Sequence, residues 1–146
     1  MSTTRELLER VAAGWLADPE SDVHWVGEVD GRLVVRMRQT VRDATAVWFE
    51  VGERTLGVEA YVMSPPPDAP AEILRQALVR NHSTRRIHFA LDPRNDLVLV
   101  GRIPLEEVSS HELELALGEV YGLVERAVPA MTRVLRGWRS PREKTP

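Results

Sequence analysis

Apolar residues at the start of the chain recur three or four positions apart, at Leu7, Leu8, Val11, Ala12, Trp15 and Leu16. That spacing lines one side of a helix. Thr3 and Glu6 stand in capping-box relation, so the helix is expected to begin beside them. Asp18-Pro19 ends it, because the residue before a proline is driven out of the helical region. From Ser21 the apolar period shortens to two. Val23, Trp25 and Val29 alternate with His24 and Glu28, and Asp30-Gly31 supplies a tight hairpin turn. The returning strand is expected to carry Leu33, Val35, Met37 and Val41 on one side and Arg36, Arg38, Thr40 and Arg42 on the other. After a turn near Asp43, a third strand points Val47, Phe49 and Val51 one way and Trp48 and Glu50 the other. Beyond Gly52-Glu53-Arg54, a fourth points Leu56, Val58, Ala60 and Val62 inward and Glu59 and Tyr61 outward. Strands joined by such short turns pair as an antiparallel meander, since parallel pairing needs a long crossover.

The run Ser64-Pro65-Pro66-Pro67-Asp68-Ala69-Pro70 reads as a stiff, extended crossover into a second helix that starts near Pro70. A docking site for a polyproline-reading module is the alternative reading. Ile73, Leu74, Ala77, Leu78 and His82 fall on one face of this helix. A second hairpin follows, with Ile87, Phe89 and Leu91 inward, a turn over 92–96, and Leu97, Leu99 and Ile103 returning. Val98 and Val100 make its last strand apolar on both sides, so that strand is expected to lie inside the sheet or under a cover. Ser109 and Glu112 form another capping box. They open the longest helix, whose stripe is Leu113, Leu117, Val120, Val124, Ala127, Met131, Val134 and Leu135. Pro129 inside it removes one backbone hydrogen bond and is expected to bend the axis. The predicted class is α+β. One antiparallel sheet of about six strands, a four-strand meander plus a hairpin, carries helices mainly on one face, in the order helix, four strands, helix, two strands, helix. A single domain is expected over 1–139 and a polar, flexible tail over 140–146.

Composition narrows the functional classes. A chain of 146 residues that is 43% hydrophobic and 28% charged is ordinary for a globular domain. Its net charge of -3 lacks the basic excess of a dedicated nucleic-acid binder. Lys144 is the one lysine, so the positive charge is arginine, a bias that a GC-rich genome also imposes. With no cysteine, disulfides, thiolate catalysis and zinc–thiolate sites are all excluded. No apolar run approaches the roughly 20 residues that cross a bilayer, and the first residues lack a signal-peptide layout. A cytosolic location without membrane contact is expected.

The stretch from Arg86 to Met131, RIHFALDPRNDLVLVGRIPLEEVSSHELELALGEVYGLVERAVPAM, resembles the second half of the YbjN family. A strand ending in Ala90-Leu91-Asp92 leads to an apolar strand, then Pro104, then a long helix with small residues and Tyr121 in its middle. The order of elements is similar to the type III secretion chaperone-like fold, a likeness that spans about residues 5–135. The resemblance implies a cytosolic binding or regulatory module without catalytic residues. It further implies a homodimer, as is common in the related chaperones, which hold extended segments of a partner protein.

The residues themselves offer little chemistry. His24, His82, His88 and His111 match no zinc spacing, and there is neither a nucleophile elbow nor a glycine-rich phosphate loop. Asp92, Asn95 and Asp96 share one turn, where such side chains bond their own backbone; a weak cation site is the alternative. Glu106 and Glu107 suit a helix start. No cofactor, metal or catalytic group is expected. Two surfaces stand out. Arg36, Arg38, Arg42, Trp48 and Tyr61 are expected together on the outer side of the meander, and Trp, Tyr and Arg are enriched where proteins bind proteins. The second is the basic end: Arg133, Arg136, Arg139, Arg142 and Lys144, beside Trp138. A protein-binding module is therefore the leading reading. A nucleic-acid-associated regulator using the arginine strand and basic tail is the alternative.

Overall fold

The computed structural model describes residues 3–138. Arg139, Arg142, Lys144 and the expected tail over 140–146 lie outside the described residues. Helix α1 (Thr4–Ala17) opens on the capping box, with Thr3 Oγ1 accepting from the Glu6 amide at 3.0 Å and Glu6 Oε2 accepting from the Thr3 amide at 3.4 Å. Strands β1 (Val23–Val29), β2 (Arg32–Arg38), β3 (Ala44–Val51) and β4 (Thr55–Met63) follow as a meander. Asp30 (φ 51°) and Gly31 (φ 79°) are both left-handed at the first hairpin, the geometry that matches strand twist in a two-residue turn. Helix α2 (Glu72–Asn81), β5 (His88–Leu91), β6 (Leu97–Pro104), a single 3₁₀ turn (Leu105–Glu107) and α3 (Ser110–Arg136) complete the order.

The six strands form one antiparallel sheet in the order β1-β2-β3-β4-β6-β5. The doubly apolar strand β6 lies inside it, between β4 and β5, as its pattern requires. One buried cluster joins the sheet to the helices: Val35, Phe49, Leu56 and Leu99 meet Leu8 and Ala12 of α1, Ile73 of α2 and Leu113, Val120 and Val124 of α3. All three helices contribute to that side of the sheet. Helix α3 runs through Pro129 unbroken, because Ala127, Ala130 and Met131 keep its buried stripe continuous past the missing amide.

Several expected orientations differ, each for a local reason. A register shift between Val23 and Trp25 leaves Val23 in the core and turns Trp25 to the opposite side, so Val26 takes the inward place beside Val35. Val29, expected inward, is exposed for the same reason. Strand β2 stops at Arg38, which puts Thr40, Val41 and Arg42 in a loop. On α2 only Ile73 and Ala77 are buried; Leu74, Leu78 and His82 face outward, because the short helix rests on its neighbours along a narrow line. Leu91, also expected inward, is exposed at the end of edge strand β5. At α3, Ser109 Oγ accepts from the Glu112 amide at 3.1 Å, but the Glu112 carboxylate turns away to Arg85 and Arg86 instead of completing the box.

Candidate protein-binding face

Alternate residues of every strand point away from the helices, and the register ties them into rows across the sheet. The central row is Gly27, Val34, Trp48, Glu59, Val100 and His88, one residue from each strand. On one flank Trp25 pairs with Arg36, Arg36 with Ala46, and Tyr61 with Val98. On the other, Val29 pairs with Arg32, Glu50 with Gly57, and Gly57 with Arg102. A sheet side left to water usually turns polar. This one keeps Val34 and Val98 only 4% and 5% exposed beneath neighbouring side chains, although no helix covers them.

Three aromatic rings set the relief of the face. The Trp25 indole lies across Gly27: a Cβ there would come within 2.4 Å of the ring, so glycine is what lets the ring lie down. Trp25 remains 45% exposed and Tyr61 51%. The Tyr61 hydroxyl shares a 2.7 Å hydrogen bond with Ser64 Oγ. Trp48 is half-buried because the Arg32 guanidinium sits 4.3 Å from its ring centroid. Arg32 also reaches Glu59 at 4.0 Å. Two shallow depressions result. One, of 380 Å³, is lined by His24, Trp25, Val34, Arg36 and Ala46. The other, of 180 Å³, includes Arg32, Trp48, Glu50, Gly57, Glu59, Val100 and Arg102.

Of the five residues singled out from the sequence, four share this face: Arg36, Arg38, Trp48 and Tyr61. Arg36 and Arg38 are exposed, and their guanidinium groups have no partner among the described residues. Arg42 is elsewhere. From its loop it donates to the Val62 carbonyl at 2.7 Å, the Tyr61 carbonyl at 2.7 Å and Thr45 Oγ1 at 3.0 Å. Burial lowers its pKa, with nearby Tyr61 acting in the opposite sense. Arg42 is a brace between the β2–β3 loop and β4. Trp25, Arg32, Val34 and Arg102 belong to the face but were not singled out. The mid-strand glycine two residues after Trp25 was the available signal.

The remaining polar groups hold the frame. Glu125 on α3 accepts from Gln39 Nε2 at 2.8 Å, from the Thr40 amide at 2.9 Å, from the Val41 amide at 3.3 Å and from the Thr40 hydroxyl. Burial pushes its pKa up, but the hydrogen bonds from Thr40, Gln39 and Val41 outweigh burial and hold it below its ordinary value. One turn and a half earlier, Glu119 accepts from the amides of Arg85, Arg86 and Ile87 at 2.7, 2.9 and 2.7 Å. Glu112 takes a forked pair from Arg85 at 2.8 and 2.6 Å and a third bond from Arg86 at 3.0 Å. Asp92 Oδ1 accepts from the amides of Arg94 and Asp96 at 2.8 and 3.0 Å, which is turn chemistry. No group of three or more His, Cys, Asp or Glu that could hold a metal comes together among the described residues. No helix among them is long and apolar enough to cross a membrane. Apart from the outer face, exposed apolar side chains gather on α2 and beside it: Leu74, Leu78 (66% exposed), Val79 and Leu91. Leu74 and Leu91 border a 250 Å³ groove walled by Pro65, Pro66, Pro67 and Pro70.

Residues 8–133 match the model of the YbjN family, described as "Putative bacterial sensory transduction regulator". The chain is 35% identical over 101 residues to the uncharacterized protein ML2442 of Mycobacterium leprae, covering 68% of this chain and 55% of that protein. It is 32% identical over 92 residues to Rv0487 of Mycobacterium tuberculosis, covering 63% of this chain and 49% of that protein. The chain thus spans about half the length of the curated relatives it matches. Among solved structures, YbjN from E. coli superposes with a TM-score of 0.56 at 15% identity, over 90% of this chain and 93% of that one. A chain of the heterodimeric complex ExoU-SpcU, from the type III secretion system of Pseudomonas aeruginosa, does so at 0.53 and 16% identity, over 84% and 95%. At these identities the likeness is one of fold.

Proposed function

The chain belongs to the YbjN family, and on that premise we propose that it is a regulatory, protein-binding module that presents the uncovered side of its sheet to a partner protein. The observation that carries this reading is the composition of that side. Trp25, Trp48 and Tyr61 stand there among arginines and valines, the residue types that anchor protein interfaces, while all three helices cover the other side. The ExoU-SpcU neighbour is itself half of a heterodimeric complex, which supports a protein partner for this fold. The proposal assigns no catalytic step.

Site-specific photo-crosslinking tests it. A crosslinking residue in place of Tyr61 is expected to trap a protein in cells, and the same residue at exposed Glu114 on α3 is not. Equal trapping at both positions, or none at either, counts against the reading. A homodimer is a second part of the proposal, and it uses a different surface. Leu74 and Leu78, one turn apart on α2, and Leu91 beside Leu74 form an apolar stripe that a second copy would cover across a two-fold axis.

A further inference from the structure

The outer sheet face carries charge of one dominant sign. Arg32, Arg36, Arg38 and Arg102 face outward there, against Glu50 and Glu59, in a chain whose overall charge is -3. Arg32 is engaged by Trp48 and Glu59. The guanidinium groups of Arg36, Arg38 and Arg102 are exposed and have no partner among the described residues. An arginine fork left open beside a half-dry aromatic surface is matched by a carboxylate, which takes both of its parallel N–H bonds. Resting on the reading above, we infer that the occupant of this face is an extended, acidic polypeptide segment, its carboxylates separated by apolar side chains.

The layout of the face selects that partner over its rivals. A row across the sheet spans five inter-strand spacings, about 24 Å, which an extended segment of about seven or eight residues crosses. The open arginines lie on both sides of the middle of the face, Arg36 and Arg38 on β2 and Arg102 on β6, with Trp48 and Glu59 on the strands between them. Carboxylates near the ends of a segment would meet the arginines while its apolar middle lies over Trp48 and Val100. A nucleic-acid backbone carries its negative charge without interruption and would have to cross Glu59 and Glu50. A second copy of this chain docked by the same face would bring together two surfaces that each carry four arginines against two glutamates.

The test is selection from a displayed library of random peptides of about ten residues against the full 146-residue chain. The binders recovered are expected to be net acidic with interspersed apolar residues. Their affinity should fall about tenfold or more for the Arg36→Glu, Arg102→Glu double variant, and by less for the Arg36→Gln, Arg102→Gln variant. Circular dichroism and the urea midpoint of each variant establish that it is folded. Binders that are neutral or basic, yet lost on Trp48→Ala, overturn the acidic partner and leave a protein-binding face. Acidic binders indifferent to the double variant overturn it as well. Binding of an oligothymidylate that the double variant abolishes makes the face a nucleic-acid surface and overturns both readings, as does the recovery of no binder at all.

Discussion

Glu119 shows at the level of one residue how this fold is held. Its two carboxylate oxygens take three consecutive amides, Arg85, Arg86 and Ile87, where the chain leaves α2 for β5. Those amides face the helix side and find no strand partner there. Glu119→Ala is expected to lower the unfolding free energy by about 1–3 kcal/mol, the cost of leaving such donors unmet. A urea midpoint equal to that of the parent would refute the assignment. Glu112 adds a pH dependence. Its hydrogen bonds from Arg85, with the charges of Arg85 and Arg86, bring its pKa from 4.5 to about 2 against an opposing contribution from burial. A carboxylate depressed on folding stabilises the fold above its unfolded value, and that contribution is lost as pH falls from 4.5 towards 2. The thermal midpoint of the parent should therefore exceed that of Glu112→Gln at neutral pH, and the gap should close between 4.5 and about 2. A gap that stays constant down to the lower value would show that the pair does not act through ionisation.

At the scale of elements, packing depends on two close approaches and one open stripe. Gly27 makes room for the Trp25 ring, which the register shift in β1 has turned outward. Gly101 on β6 makes room for backbone: a Cβ there would lie 2.5 Å from the Arg86 carbonyl oxygen. Main chain cannot swing aside as a side-chain tip can. Gly101→Ala should destabilise by about 1–3 kcal/mol, as overpacking does, and denaturant titration measures it. The stripe on α2 behaves oppositely. Leu78 is 66% exposed, so Leu78→Glu should change the stability of the single chain by no more than about 0.5 kcal/mol. If a second copy covers Leu78, the same change should convert a dimer to monomer in sedimentation at matched concentrations. A parent chain that is monomeric at every concentration removes that part of the proposal.

For the molecule as a whole, stability and recognition reside on opposite sides of one sheet. The inner side meets three helices through a continuous core, and the arginines of the outer side touch none of it. Reversing Arg36 and Arg102 together is therefore expected to leave the unfolding free energy within about 0.5 kcal/mol of the parent while removing partner binding. Parallel loss of both would place those arginines in the structural frame. The basic surface differs in membership from its sequence reading: Arg42 is spent on the carbonyls of Tyr61 and Val62, while Arg102 joins Arg36 and Arg38 on the outer side.

The types and order of the elements were legible from periodicity alone, since a helix repeats its apolar positions every three or four residues and a strand every two. Thr3 and Glu6, Asp30-Gly31 and the doubly apolar β6 told where one helix starts, how one hairpin turns and which strand lies inside. Which side each residue faces was legible only while the alternation ran undisturbed; one added residue between Val23 and Trp25 reversed it. Tertiary structure alone decided that Glu119 serves residues 32 to 34 positions away and Glu125 residues 84 to 86 away. No periodic signal links such positions, because the carboxylate is matched to amides that the folding of other elements leaves bare. That Trp25 and Arg102 join Arg36 and Trp48 on one surface was decided in the same way, by strand order and register across the sheet.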